Sequence, residues 1–356
     1  MKALYFGTYD RSYPRNAQVI SCLRSAGVDV VERQIPVWGR RHNWQLGLGQ
    51  LARIARAEGA LARGALAEAD VLIVGYPGHF DIPAARRAAA GRPIVFNPLV
   101  SLYDTLVDDR RRFRRRSPAA GILRQVDRIA FGKADLVVAD TAAHARFFSE
   151  TMGLPEERLG VAFVGAEDAL FRPGWQPPGA FRALHVGKLI PLHGLDTILS
   201  AARLAPEIAF KVVGDGQLES LLDARAPNVD YCSWLEYTQL PAAYQSAGCA
   251  LGIFGTGAKA ARVIPNKVFQ ALACGVAVVT ADTPAARELL TDGEDALLVA
   301  PGDPAELAWA IRRLAAKPAL AKAIGHAGRL TYERHASEVV LGERWRKLLE
   351  RAVAAR

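Results

Sequence analysis

The chain has 356 residues, 51% of them hydrophobic and 23% charged, with 45 basic against 36 acidic side chains and a formal charge of +9. That length exceeds one ordinary core and fits two domains of roughly 100 to 200 residues, while the composition excludes a largely disordered chain. No apolar run reaches the ~18 residues of a membrane span, polar residues follow Met1–Gly7 too soon for a secretion signal, and Cys22, Cys232, Cys249 and Cys274 lack the spacing of a disulfide framework or a metal site, so a cytoplasmic protein with reduced thiols and no metal is expected.

In chain order, short β-branched or apolar runs alternate with stretches of helical period, the pattern of βα units feeding a parallel sheet. Strands are predicted at Ala3–Gly7, Val28–Glu32, Val71–Gly75, Pro93–Asn97, Leu136–Ala139 and Val161–Val164. Phe171–Gly179, rich in proline and glycine, then interrupts all periodicity and suits an interdomain linker. A second series is predicted at Ala183–Gly187, Phe210–Gly214, Val229–Cys232, Ala250–Phe254, Val276–Thr280 and Leu297–Val299. After Gly194, the residues Leu195, Ile198, Leu199 and Ala202 fall on one stripe of an amphipathic helix. From Pro304 the pattern is helical, broken at Pro318. The expected layout is α/β, with Rossmann-like domains at 1–172 and 181–336, a linker at 173–180, and a final helix at 337–356 that returns to the first domain.

Ligands of open parallel sheets bind beyond the carboxyl ends of the strands, so three loops of the second half are candidates. Gly187-Lys188-Leu189-Ile190-Pro191-Leu192-His193-Gly194 puts Lys188 and His193 before a helix N-terminus, where both can neutralise a diphosphate. Gly214-Asp215-Gly216 permits close backbone approach to a ligand. Gly255-Thr256-Gly257 offers free amides, and a helix begun after Pro265 points at the same place. Gly255-x-Gly257-x-x-Ala260 matches a dinucleotide fingerprint, but Pro265 forbids the long helix which that motif opens. GxxxxGK[ST], HExxH and GxSxG are all absent, so ATPase, zincin and serine hydrolase readings fall away.

The order GKLIPLHG, VVGDG, IPNKVFQALACGVAVVTADTPAARELLTDGEDALLV resembles the donor-binding domain of the retaining GT-B glycosyltransferases called family 4, or group 1. The resemblance covers about Ala183–Leu298; the first domain shares the strand-helix plan and an opening Gly7-Thr8-Tyr9 loop. It implies two Rossmann-like domains whose parallel sheets face across a cleft. It makes Lys188, His193 and Lys267, with Gly7, Gly255, Thr256 and Gly257, the diphosphate site. Gly214, Asp215, Leu235 and Gln270 become nucleoside and ribose contacts, and Arg262, Ile264, Asn266 and Glu288 donor-sugar contacts. The paired glutamates usual in the family are missing, since Arg262 and Gln270 stand in their places. In the first domain Asp104, in the loop after Asn97, is the nearest candidate to act on the acceptor; its structural alternative is a helix cap.

The expected reaction is transfer of a sugar from a UDP-, GDP- or dTDP-sugar to an acceptor hydroxyl, with retention, no metal and no further cofactor. Lys188 and His193 stabilise the leaving diphosphate, and Asp104 lies by the acceptor. Two rivals stand beside it, a nucleotide-sugar 2-epimerase and a non-catalytic nucleotide-sugar binder. Six arginines between Arg110 and Arg116, with Trp38, Arg40, Arg41 and Trp44 in another loop, suit a sugar or lipid-linked acceptor at an anionic inner membrane surface. No nucleic-acid partner is expected, and the chain is expected to be a monomer or dimer.

Overall fold

The computed structural model describes residues 1–37, 48–63, 68–176 and 179–355. Trp38, Arg40, Arg41 and Trp44, named above for an acceptor surface, lie outside the described residues, as do Pro177 and Pro178 of the expected linker. The chain forms two compact units, Met1–Phe163 with Glu338–Arg356, and Val164–Ser337.

The first unit is built on six strands, β1 (Lys2–Gly7), β2 (Asp29–Gln34), β3 (Val71–Val74), β4 (Ile94–Phe96), β5 (Leu136–Ala139) and β6 (Leu159–Val161). They pair in the order β2-β1-β3-β4-β5-β6, parallel throughout. Between them run α1 (Pro14–Ser25), α2 (Leu48–Arg63), α3 (Ile82–Ala88), α4 (Pro118–Lys133) and α5 (Ala142–Met152). Because strand side chains alternate, Leu4, Phe6, Leu72, Val74 and Phe96 pack on one face with Ile82, Phe131 and Phe148. Ala3, Tyr5, Val71, Ile73 and Val95 pack on the other with Val19, Ile20 and Leu23 of α1. Both faces are apolar, as a sheet covered on both sides requires. The sixth strand sits two residues earlier than its predicted start. The Ala162 amide still donates to the Ala139 carbonyl at 2.9 Å, but the carbonyls of Ala162 and Phe163 turn to the Arg15 guanidinium, at 3.3 to 3.4 Å and 2.9 Å, and the strand ends there.

The second unit holds β7 (Arg182–Val186), β8 (Ala209–Val213), β9 (Val229–Cys232), β10 (Cys249–Leu251), β11 (Val278–Ala281) and β12 (Leu297–Val299), in the parallel order β12-β11-β10-β7-β8-β9. Its helices are α6 (Leu195–Leu204), α7 (Leu240–Gln245), α8 (Asn266–Ala273), α9 (Pro304–Ala316) and α10 (Pro318–His335). The predicted stripe of α6 is fully in the core. The second unit begins at Val164, ahead of the expected linker at 173–180 and the expected second-domain start at 181. Phe171 is completely buried against Tyr237 and Tyr244, and Trp175 donates to the Ala247 carbonyl, so two aromatic side chains of the segment expected as a linker are anchored on the second unit. The last helix, α11 (Glu338–Ala354), belongs to the first unit, where Trp345 is buried against the α1 face and Arg344 takes the outward carbonyl of Val161 on the edge strand.

Candidate functional site

In the second unit the strand order reverses between β7 and β10, which opens a crevice at their carboxyl ends. The loop after β7 and the loop after β10 meet there, joined by the Phe254 amide donating to the His193 carbonyl at 3.1 Å. Gly255 lies against Pro191 and Leu192 so closely that a Cβ would come 2.6 Å from the Leu192 carbonyl oxygen. Gly257 faces open space, and Thr256 and Gly257 are exposed. The α8 helix begins beside them, with Pro265 as its N-cap and Lys267 in its first turn.

Lys267 is 5% exposed, and its ammonium nitrogen lies 3.2 Å from His193 Nδ1 and 3.2 Å from His185 Nε2. Burial holds the Lys267 pKa well below the ordinary lysine range. His185 is likewise held well below the usual imidazole value, by burial first and then by Lys267 and His193. Lys188 is half-exposed and ion-paired with Asp215, so two residues expected in neighbouring subsites touch in the ligand-free protein. The loops that carry them need glycine. At Gly214, with φ +134°, a Cβ would stand 2.0 Å from the Gly187 carbonyl oxygen.

The nucleoside candidates lie at the ends of β8 and β9, with Leu235 half-buried after β9. Gln270 is 5% exposed and turned inward. Its carbonyl accepts from Tyr244 at 3.2 Å, its amide donates to Tyr237 Oη at 3.4 Å, and Tyr237 donates to Glu167 at 3.2 Å. Of the sugar candidates, Ile264 is buried, while Arg262, Asn266 and Glu288 are half-buried. Arg262 and Glu288 end two short 3-10 turns that are tied by the Ala285 amide donating to the Ala261 carbonyl. Thr283, rather than Glu288, caps the second turn, accepting from the Ala286 amide at 3.0 Å.

Gly7 and Asp104 belong to the first unit, apart from the other candidates in fold and sequence. The first sheet reverses between β1 and β3, and there Asp81 accepts from the Thr8 amide at 2.7 Å and the Thr8 hydroxyl at 2.8 Å. A Cβ on Gly7 would stand 2.2 Å from Asp81 Oδ2. Glu58 lies close enough that burial, with Asp81 adding to it, pushes its pKa up to about 10. Asp104 is 3% exposed and opens a π-helical turn, Asp104–Asp109. The capping work falls to Asp127, which accepts from Ser101 Oγ and the Leu102 and Tyr103 amides at 2.7 to 2.9 Å. In the basic run, Phe113 packs inward against Leu106 and Leu123, which turns Arg111, Arg112, Arg114, Arg115 and Arg116 to solvent.

The family model described as glycosyl transferases group 1 matches residues 180–317, and that described as glycosyl transferase 4-like domain matches residues 8–165. One glycosyltransferase domain model thus matches each unit of the chain. D-inositol 3-phosphate glycosyltransferase of Acidothermus cellulolyticus is 28% identical to it over 295 residues, 72% of this chain and 64% of that one. The protein of the same description from Geodermatophilus obscurus is 27% identical over 308 residues, 74% and 66%. The matches to such relatives thus span half to two thirds of the relatives' length. Among solved structures, sucrose-phosphate synthase from Thermosynechococcus elongatus superposes with a TM-score of 0.77 at 16% identity, covering 100% of this chain and 99% of that one. Anabaena HepE in complex with UDP-glucose gives 0.71 at 17%, covering 98% and 99%. These likenesses establish the GT-B fold. Two residues beside these candidates escape the sequence, His185 and Asp81. A histidine inside the apolar run Ala183–Val186 was the available signal for the first; Asp81 gains its partner only from the pairing of β1 with β3.

Proposed function

We propose that this glycosyltransferase moves a sugar from a nucleotide-diphospho-sugar to an acceptor hydroxyl, with retention and without a metal ion. The observation that carries this reading is the convergence of Lys188, His193 and Lys267 with the Gly255–Gly257 backbone and the α8 N-terminus at one sheet switch point. Breaking the sugar–phosphate bond builds negative charge on the leaving diphosphate, and the basic side chains and amides gathered there stabilise it. Gly214, Asp215, Leu235 and Gln270 then serve the nucleoside, and Arg262, Ile264, Asn266 and Glu288 the sugar. Gly7 and Asp104 serve the incoming groups from the first unit.

The UDP-glucose of HepE favours uridine as the first base to test. Relatives named for D-inositol 3-phosphate and for lipopolysaccharide core favour a polyol phosphate or a lipid-linked saccharide as acceptor. A membrane acceptor is supported by α4, where Ile122 (64% exposed) and Ile129 (39% exposed) stand seven residues apart on one line, following the solvent-facing arginines. Among the described residues no helix is long and apolar enough to cross a membrane.

Calorimetric titration with UDP, GDP, dTDP and ADP tests the reading, and binding of one at micromolar affinity is expected. Binding weaker than millimolar for all four would defeat it. With the matching sugar donor, transfer that persists in EDTA and keeps the anomeric configuration is expected; an epimer formed from donor alone would favour the epimerase instead.

A further inference from the structure

Lys267, His185 and His193 form a cluster of three nitrogen bases, 5%, 0% and 7% exposed. The histidine rings are 5.7 Å apart, and each presents one nitrogen to Lys267 Nζ at 3.2 Å. A ring nitrogen accepts a hydrogen bond only through its lone pair. When Lys267 donates to both rings, His185 carries its proton on Nδ1 and His193 on Nε2. A neutral Lys267 amine has two N–H bonds, enough for both histidines. An ammonium has a third.

The titratable groups facing Nζ are these two histidines, one from β7 and one from the loop that follows. Gly187 passes on the remaining side, where a Cβ would lie 3.0 Å from Nζ. Among the described residues no carboxylate pairs with Lys267. A buried ammonium without a counter-charge is unfavourable, in keeping with the direction in which burial moves this lysine. A diphosphate in the adjoining crevice would supply the missing negative charge.

We propose that the site takes up one proton from solvent as it binds the diphosphate of its donor, and that Lys267, held by His185 and His193, receives it. The inference rests on the nucleotide-sugar reading above. The new N–H bond forms on Nζ as a buffer acid or hydronium gives up that proton, and no other bond of the protein or donor changes. The empty site carries no fixed charge on Lys267, and the third N–H appears only when a phosphate is there to accept it. Affinity then rises as pH falls, by up to about tenfold per unit for one proton.

The test is calorimetry of the whole chain with UDP-glucose at about pH 8, repeated in HEPES, Tris and TAPS. GDP-mannose and dTDP-glucose replace it in parallel runs. The diphosphate of a nucleotide sugar has no ionisation near that pH, so any dependence of the observed heat on buffer ionisation heat counts protons moved by the protein. Uptake of about half to one proton per donor is expected in the natural chain. It should vanish in Lys267→Met. His185→Asp, which puts a carboxylate beside Nζ, should keep binding while cutting the uptake towards zero. Binding with buffer-independent heat in the natural chain overturns the proposal, as does undiminished uptake in Lys267→Met. No heat with any of the three donors would instead fail the nucleotide-sugar reading, and this inference with it.

Discussion

Replacing Lys188 with alanine separates chemistry from folding. Its ammonium is paired with Asp215, but both side chains are about half exposed, 52% and 46%. Such a pair contributes about 0 to 1 kcal/mol, so the urea midpoint of Lys188→Ala should stay within that margin of the natural chain. The effect on catalysis should be far larger. A preorganised group aimed at developing negative charge is worth about 10²- to 10³-fold in kcat, or about 2.7 to 4 kcal/mol. Lys188 stands at the switch point where the leaving diphosphate is proposed to lie. Release of UDP from UDP-glucose, by slow hydrolysis or by transfer, is the assay. Lys188→Arg keeps the cation and should hold within about tenfold of the natural rate, which rules out simple disruption of the loop. If Lys188→Ala turns over within threefold of the natural chain, Lys188 does not bind the leaving group.

Two further substitutions probe the supports of the sites. Gly214→Ala forces a side chain into a backbone region costing about 1 to 3 kcal/mol for an L-residue, and onto a carbonyl oxygen 2.0 Å away, where overpacking adds about 1 to 3 more; thermal melting should fall by several degrees, and an unchanged midpoint would mean the two loops do not meet as described. Glu58 has a folded pKa raised to about 10, so its neutral form contributes stability that is full below the unfolded value of about 4.3 and is lost as pH rises towards 10. Glu58→Gln should therefore flatten the fall in urea midpoint between pH 6 and pH 9, and parallel profiles for the two proteins would contradict the buried pairing with Asp81.

Much of the fold is local and is therefore legible in the sequence. Val71–Val74 is an unbroken apolar run between Asp70 and Gly75, Leu136–Ala139 one between Asp135 and Asp140, and Leu195, Ile198, Leu199 and Ala202 repeat with helical period. What the sequence does not carry is the identity of distant partners. β6 ends at Val161, short of the predicted Val164, where Arg15, far away in α1, takes the next two carbonyls. β10 stops at Leu251, short of the predicted Phe254, because the Ile253 amide turns to Thr280 Oγ1 and the Phe254 amide to His193. The phosphate candidates were visible as a run of basic residues and glycines near strand ends. Their mutual geometry was not. That Lys188 meets Asp215, and that Lys267 sits between two histidines, follows from β7 lying between β8 and β10, an order no local pattern specifies.

The glutamine at position 270 also acquires a physical account. Tyr244, Gln270 and Tyr237 form a one-way chain of donors that ends on Glu167. Tyr237 has a single hydroxyl hydrogen, already given to Glu167, so the group at 270 that faces its oxygen must itself donate. An amide does so and a carboxylate does not. Glutamate at 270 would set an oxygen against an oxygen and bury a second negative charge near Glu167. The consequence reaches Lys267, three residues earlier on α8 and so on a neighbouring position of the same helix. A carboxylate at 270 would have provided a buried counter-charge within one turn of that lysine. With glutamine there, the negative charge of the chain stands on Glu167, two hydrogen bonds away. Among the described residues Lys267 is left with two histidines and no anion, so the amide at 270 and the charge deficit at 267 are two sides of one arrangement, in which the proposed ligand would bring the anion.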